Sequence, residues 1–356
     1  MSDLKSTITR EQPHYATALD AVKLCVGAPL FQSLAGEFAH QSKKFQNAKV
    51  EAFLAALAVD VRTASDFAQW TQQIIGNPQV RASVASFIAG AFPTVEGLEE
   101  QFYDYADTLE QDGLLRFPSV LDPGERHEMT QHLAQQGNLT LEGTLEKHPI
   151  ADVVAAPHVL NLATHPTLLS IAGAHLGCQP TIVNIEAWWS PATGSSENGP
   201  EILHRDKDDF RACKFFMYLS DVGPEDGPHH YALRSFDPDF VASLLPDGTD
   251  KAKKVQDIFN MQYGGKNLAD ENGKVFASHI VEIHGPAGTN FFTNSFGLHR
   301  GKPVMRGRRG MIAVTYGMIG YSNRLRRFSE SGLKEFPTNC SDTEMVRHAL
   351  RLLWHN

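Results

Sequence analysis

Leu203-His204-Arg205-Asp206, followed after an acidic turn by Lys214-Phe215-Phe216-Met217-Tyr218-Leu219, is the stretch whose reading decides the fold. The second half is short, rich in aromatic residues and bounded by turn residues, which is a strand signal. The same signal recurs at Thr181 to Trp189, His230 to Leu233, Val275 to Ile283, Thr289 to Thr293 and Met311 to Tyr316. Gly, Pro, Asn and Asp clusters separate these runs, among them Asn198-Gly199-Pro200, Gly264-Gly265-Lys266 and Gly285-Pro286-Ala287-Gly288. Many short strands at this spacing predict a β-sandwich or barrel. Asp237 to Asn272 interrupts them as an insertion.

Upstream the pattern changes. Leu114 to Leu121 reads as a strand, and Asp122-Pro123-Gly124-Glu125 then supplies a capping residue, a first-turn proline and a third-position glutamate for a helix running to Gly137. Another helix precedes Gly177. From Pro13 to Gln111 the periodicity is helical: Leu30, Leu34 and Phe38 recur at four-residue spacing, and Val95, Leu98, Phe102, Tyr105 and Leu109 at steps of three and four. Breaks at Gly27-Ala28-Pro29, Gly76-Asn77-Pro78 and Phe92-Pro93-Thr94 divide this region into about five helices, the last stopped by Gly113. The expected organisation is a helical extension over 1–93, a β-rich domain with supporting helices over 94–330, and a helical segment over 331–356 with its helix at Asp342 to Trp354.

With 42% hydrophobic and 21% charged residues in 356, the chain has the composition of a globular protein able to bury a large core. Its formal charge of -9 opposes a polyanion, so neither nucleic acid nor an acidic lipid surface is an expected partner. Met1 to Gln12 is polar and no run is long and apolar enough for a membrane span, which predicts a cytoplasmic location. Cys25, Cys178, Cys213 and Cys340 are far apart and form no CxxC pair, so neither a zinc site nor a disulfide framework is expected.

The chemistry resides in three residues. In an extended segment, positions i and i+2 share a side, so His204 and Asp206 can reach one metal ion. Such triplets also arise by chance, and a surface histidine beside an Asp-rich turn (Asp206, Asp208, Asp209) is the plain alternative. Ninety-five residues further on, Gly297-Leu298-His299-Arg300-Gly301 supplies a second imidazole. Two imidazoles and one carboxylate on one face of a metal form the triad that suits iron(II) oxygen chemistry. Catalytic zinc sites more often use three histidines or two with a glutamate. The open positions opposite accept a 2-oxoacid and dioxygen, and the far carboxylate of such an acid needs a fixed cation. Arginine serves best because its planar fork keeps its charge. Arg308 and Arg309 both stand at the entry to the next strand, facing opposite ways.

Residues from about Gly113 to Tyr321 resemble the phytanoyl-CoA dioxygenase family of the iron(II)/2-oxoglutarate oxygenases. The matching elements are Asp112 to Phe117, His204-Arg205-Asp206, Phe215 to Val222, Gly227-Pro228, Gly297 to Gly301 and Gly307-Arg308-Arg309. The resemblance implies a mainly β double-stranded β-helix, or jelly roll, with flanking helices. It implies metal ligands His204, Asp206 and His299, and Arg309 rather than Arg308 as the oxoglutarate anchor. It leaves the partner of the first carboxylate open among Asn184, Trp188 and Ser190 on one strand and Lys214 and Tyr218 on the next, with Asn184 the candidate for that contact. The implied activity is hydroxylation of a small or medium-sized organic substrate, using Fe(II), 2-oxoglutarate and O2. Asp206 fills the position that related halogenating enzymes leave to a small residue. Where the family continues Gly-Ser-His, this chain has Arg234-Ser235-Phe236, which bears on pocket shape.

Plainer roles stand beside these. His229 and His230 are adjacent and face opposite ways, so at most one lines the pocket. His279 and His284 are alternatives for the distal ligand. Trp188 and Trp189 divide between groove wall and core, and Met305 and Met311 are packing residues. A metal-binding jelly roll without turnover, or an oxygenase for a protein- or carrier-bound substrate, are the competing functions. The helical extension is expected to complete the core or to form a homodimer contact.

Overall fold

The computed structural model of the protein describes residues 78–194, 197, 199–260, 271, 273–318, 336–337 and 340–353. The helices expected before Asn77, the Gly264-Gly265-Lys266 loop and the end of the terminal helix lie outside the described residues. Two helices come first, α1 (Pro78–Ala91) and α2 (Glu100–Gln111), then β1 (Leu114–Phe117) and α3 (Pro123–Gln135). A hairpin of β2 (Thr140–Glu142) and β3 (Leu145–Lys147) leads to α4 (Ile150–Ala155), α5 (Val159–Ala163) and α6 (Pro166–Leu176). The remainder is β4 (Thr181–Pro191), β5 (Ala212–Tyr218), β6 (His229–Ala232), α7 (Pro238–Leu244), α8 (Lys251–Asn260), β7 (Ile280–Ile283), β8 (Asn290–Asn294), β9 (His299–Gly301), β10 (Arg308–Gly317) and α9 (Glu344–Leu350).

Local chemistry sets several boundaries. Asp122 Oδ1 accepts from the Gly124 and Glu125 backbone N–H groups while Glu125 reaches back to the Asp122 N–H, closing a capping box on α3. Gly177 ends α6 at φ 75°, a left-handed position that costs glycine little. β1 stops at Phe117, four residues short of the sequence expectation, because Pro118 has no N–H for the ladder. Before β7, Ala277 to His279 form a helical turn, so only the second half of the run from Val275 is strand.

All strand pairs are antiparallel. The larger sheet runs β1-β8-β5-β10-β4-β3-β2 and the smaller β7-β6-β9. The chain passes between them repeatedly: β4 and β5 in the large sheet, β6 and β7 in the small, β8 large, β9 small, β10 large. That alternation gives the jelly-roll architecture.

Side chains alternate across the large sheet with the period of two that a pleated strand imposes. On β5, Cys213, Phe215 and Met217 join the helix-covered core with Ile312, Val314 and Tyr316 of β10. Phe216 and Tyr218 point the other way and pack between the sheets with Tyr231, Ile283, Phe291 and Met311. Ala85 and Ile88 of α1 belong to the helix-covered core, which ties that helix to the body of the fold. A third cluster, including Val241, Ile258, Phe259 and Phe276, packs α7 and α8 against Leu203 and Leu298. Among the described residues no helix is long and apolar enough to cross a membrane.

Candidate functional site

His204 and His299 are hydrogen-bonded neighbours across an isolated antiparallel bridge: His204 N–H donates to His299 O at 2.9 Å and His299 N–H to His204 O at 2.8 Å. The bridge extends the β9 edge of the small sheet and sets the rings 4.5 Å apart, centroid to centroid. Two residues on, Asp206 N–H donates to Ser295 O at 3.1 Å, which turns its carboxylate to the same side. The potential ligand atoms of His204, Asp206 and His299 all lie within 4.8 Å of one another, and all three residues are buried. His279 and His284 are not part of this cluster.

Ring orientation is settled by backbone carbonyls. His204 Nδ1 lies 2.7 Å from Ile202 O and His299 Nδ1 2.9 Å from Gly297 O. A carbonyl only accepts, so Nδ1 carries the proton in each ring and Nε2 is left with a lone pair for a metal. The Nε2 atoms stand 3.9 Å (His204) and 3.5 Å (His299) from the Asp206 carboxylate. Burial, with His299 alongside, pushes the His204 pKa down to about 3, so the imidazole is neutral at physiological pH as a ligand must be. Two imidazoles, one carboxylate and second contacts that fix the rings make a donor set that fits iron(II).

The residues around the triad hold it in place. Lys214 Nζ donates to Asp206 Oδ2 and lies 3.3 Å from Asp208 Oδ2. Asp209, third member of the acidic turn, faces elsewhere and accepts from the Phe210 and Met318 N–H groups. Arg205, between the two ligands in sequence, is buried on the opposite side. It donates to Phe296 O and, at 3.0 Å, to Ser235 O, with its guanidinium 4.5 Å over the Phe259 ring. The sequence singles out Lys214 as a candidate contact for the first carboxylate of the oxoacid, not as a support of Asp206, which is where the structure places it, and it gives Arg205 no role.

A cavity of about 330 Å³ opens on the triad, within the size range of small-molecule sites. Trp188, Phe216 and Met311 form apolar wall, Glu142, Lys147 and Glu186 line its outer part, and Arg309 lies in it as well. Arg309 is buried; Nη1 donates to Gly227 O and Nη2 to Ser190 Oγ at 3.0 Å. Burial pulls its pKa below the usual guanidinium value, opposed by Tyr218 and Glu201 nearby. Gly301 leaves room for this side chain, since a Cβ there would come within 2.6 Å of Arg309 Nη2.

The other sequence candidates fall differently. Arg308 turns to the outer face by strand alternation, where it pairs with Glu146 at 2.6 Å and covers the Trp189 ring, so it is not a cavity residue. Asn184 is buried on the cavity-facing side of β4 but does not line the cavity, which begins two residues later at Glu186. His229 lines it; His230 is buried on the other face of β6 and sits 2.9 Å from Glu282. Trp188 is cavity wall and Trp189 core, while Met305 is exposed and Met311 buried in the wall.

No protein-family model matches the sequence, and no curated protein matches it. Among solved structures, the chain is similar to the non-heme alpha ketoglutarate dependent epimerase SnoN from nogalamycin biosynthesis. The identity is 18% and the TM-score 0.42, over 61% of this chain and 82% of that one. It is also similar to HygX from Streptomyces hygroscopicus, solved with nickel and 2-oxoglutarate bound, at 18% identity and a TM-score of 0.40 over 60% and 86% of the two chains. EctD from S. alaskensis, solved with 2-oxoglutarate and 5-hydroxyectoine, is 14% identical with a TM-score of 0.43 over 63% and 82%.

Proposed function

We propose that the protein is an iron(II)- and 2-oxoglutarate-dependent oxygenase that hydroxylates an unactivated C–H bond of a small or medium-sized organic substrate, releasing succinate and carbon dioxide. The observation that carries this reading is the presence of two complementary sites in one cavity, a three-donor cluster of His204, Asp206 and His299 and a buried guanidinium at Arg309. A metal-binding module without turnover has no use for the second. When bound, iron and the oxoacid supply dioxygen activation coupled to decarboxylation.

The protein's own residues have separable tasks in this scheme. His204 and His299 would hold the metal through fixed lone pairs and Asp206 through its charge, three protein donors that would leave it able to take exogenous ligands. Arg309 holds a distal carboxylate and thereby sets the direction in which the oxoacid enters. Trp188, Phe216 and Met311 exclude water from the reacting centre. Lys147 bonds Glu186 at 2.9 Å and stands 3.3 Å from Glu142, giving the entry a polar lip through which a substrate passes.

Anaerobic addition of iron(II) and then 2-oxoglutarate to the apoprotein tests the reading. A weak visible charge-transfer band is expected, absent in His204→Ala, together with slow succinate formation in air without substrate. No band in the unaltered protein at full iron loading would overturn it.

A further inference from the structure

We infer that His229 is a second donor to the distal carboxylate of the oxoacid, acting beside Arg309; the inference rests on the proposed oxygenase reading. His229 opens β6 and is the register partner of Gly301, the glycine against which the Arg309 guanidinium lies. Gly227, whose carbonyl takes the Arg309 Nη1 proton, is two residues before it. Its ring stacks on His299 at 5.5 Å with an interplanar angle of 19°. The imidazole thus neighbours both the distal metal ligand and the anchor arginine, within the cavity that the three residues share.

Two nitrogens here are buried without any hydrogen-bond partner: His229 Nε2 and Arg309 Nε. A buried polar group left without a partner is destabilising, and a native fold rarely keeps one idle. Phe216 and Phe291, with ring centroids 4.9 and 5.2 Å from that of His229, hold the imidazole in place. Meanwhile the outer nitrogens of Arg309 are already engaged, Nη1 with Gly227 O and Nη2 with Ser190 Oγ. The guanidinium therefore has less than its full fork for an incoming carboxylate. Such a carboxylate has two oxygens and about four acceptor sites, which Arg309 Nε–H and a proton on His229 Nε2 together can serve. The same two orphans then gain partners only when the acid is bound.

The test compares the unaltered iron(II) protein with His229→Phe, which keeps a ring on His299 but has no N–H. Anaerobic titrations follow the charge-transfer band with 2-oxoglutarate and with 2-oxovalerate, an oxoacid of equal length lacking the distal carboxylate. Half-saturation for 2-oxoglutarate is expected to rise at least about tenfold, the worth of one hydrogen bond to a charged group. Half-saturation for 2-oxovalerate, and iron affinity without oxoacid, should stay within about twofold. His229→Asn, which returns an N–H donor, should recover part of the loss; where His229→Phe does not fold, His229→Leu takes its place as the variant without a donor, and an unchanged half-saturation for 2-oxoglutarate in the donorless variant, equal losses for both acids, or no recovery in His229→Asn overturns the inference. A band missing from the unaltered protein is a different result and refutes the oxygenase reading itself.

Discussion

Lys214 Nζ donates to Oδ2 of Asp206, the only acidic member of the triad, from the neighbouring large-sheet strand β5. Asp208 Oδ2 lies 3.3 Å from the same ammonium, so one buried cation serves two buried carboxylates. Removing one partner of a buried ionic group weakens the compensation of the others in low dielectric, at a cost of up to about 3–5 kcal/mol. Lys214→Met should therefore lower the melting temperature of the metal-free protein. A divalent cation at the triad restores positive charge beside Asp206, so iron(II) or manganese(II) should raise the melting temperature more in Lys214→Met than in the unaltered protein. Equal gains in paired thermal melts would show that the lysine and the metal are not coupled through Asp206.

Arg309 and Arg308 differ by one position and by opposite faces of β10. Arg309→Lys keeps the charge but loses the planar fork that also spans Gly227 O and Ser190 Oγ. Its KM for 2-oxoglutarate should rise by about 10- to 100-fold, with iron affinity unaltered. Arg308→Ala removes a half-exposed pair with Glu146, so stability should fall by no more than about 1 kcal/mol and the KM should stay the same.

Gly301→Ala probes the same anchor without touching a charged group. The added methyl would come within 2.6 Å of Arg309 Nη2 and 2.9 Å of Nη1, so the guanidinium must move. Displacements on this scale at a positioning contact are costly, and a rise of about tenfold or more in the KM for 2-oxoglutarate is expected. Metal affinity, measured by equilibrium dialysis, should be unchanged because His299 keeps its bridge to His204.

Stability should decline between pH 6.5 and about 3 as buried histidines come under pressure to protonate. His175 on α6 is the clearest contributor: both ring nitrogens are buried without partners, and burial, helped by Arg211, pushes its pKa down to about 3. Its folded pKa is depressed, so the unfolded chain binds its proton first and stability falls as pH drops below the ordinary histidine value. His175→Leu should raise the urea midpoint at pH 7, since two unmet polar atoms disappear. It should also flatten the loss between pH 7 and pH 5; an unchanged slope would exclude His175 as a contributor.

How far the sequence carried depended on how local each signal was. His204 and Asp206 were legible because the motif spans three residues and its geometry needs only extended backbone. Arg309 could be separated from Arg308 because strand alternation is obligatory and the family resemblance chose between them. The β2–β3 hairpin was missed although Gly143-Thr144 stands between its paired ends, Glu142 and Leu145: its strands are three residues each and largely polar. β9 has the same length and carries a histidine where apolar residues mark most strands. The clamp of Lys214 on Asp206 joins residues eight apart, and no spacing rule announces it. The hydrogen bonds of Arg205 to Phe296 O and Ser235 O reach across two further segments and exist only once the small sheet and its flanking helices have assembled.

The bridge between His204 and His299 ties completion of the donor set to the path of the chain. A chain folded only as far as β8 holds one imidazole and one carboxylate of the triad. The third donor arrives with β9, on the strand that pairs directly with the segment carrying the first. The three donors are therefore assembled only when β9 has paired, and the cavity around them closes last, when β10 brings in Arg309 and Met311.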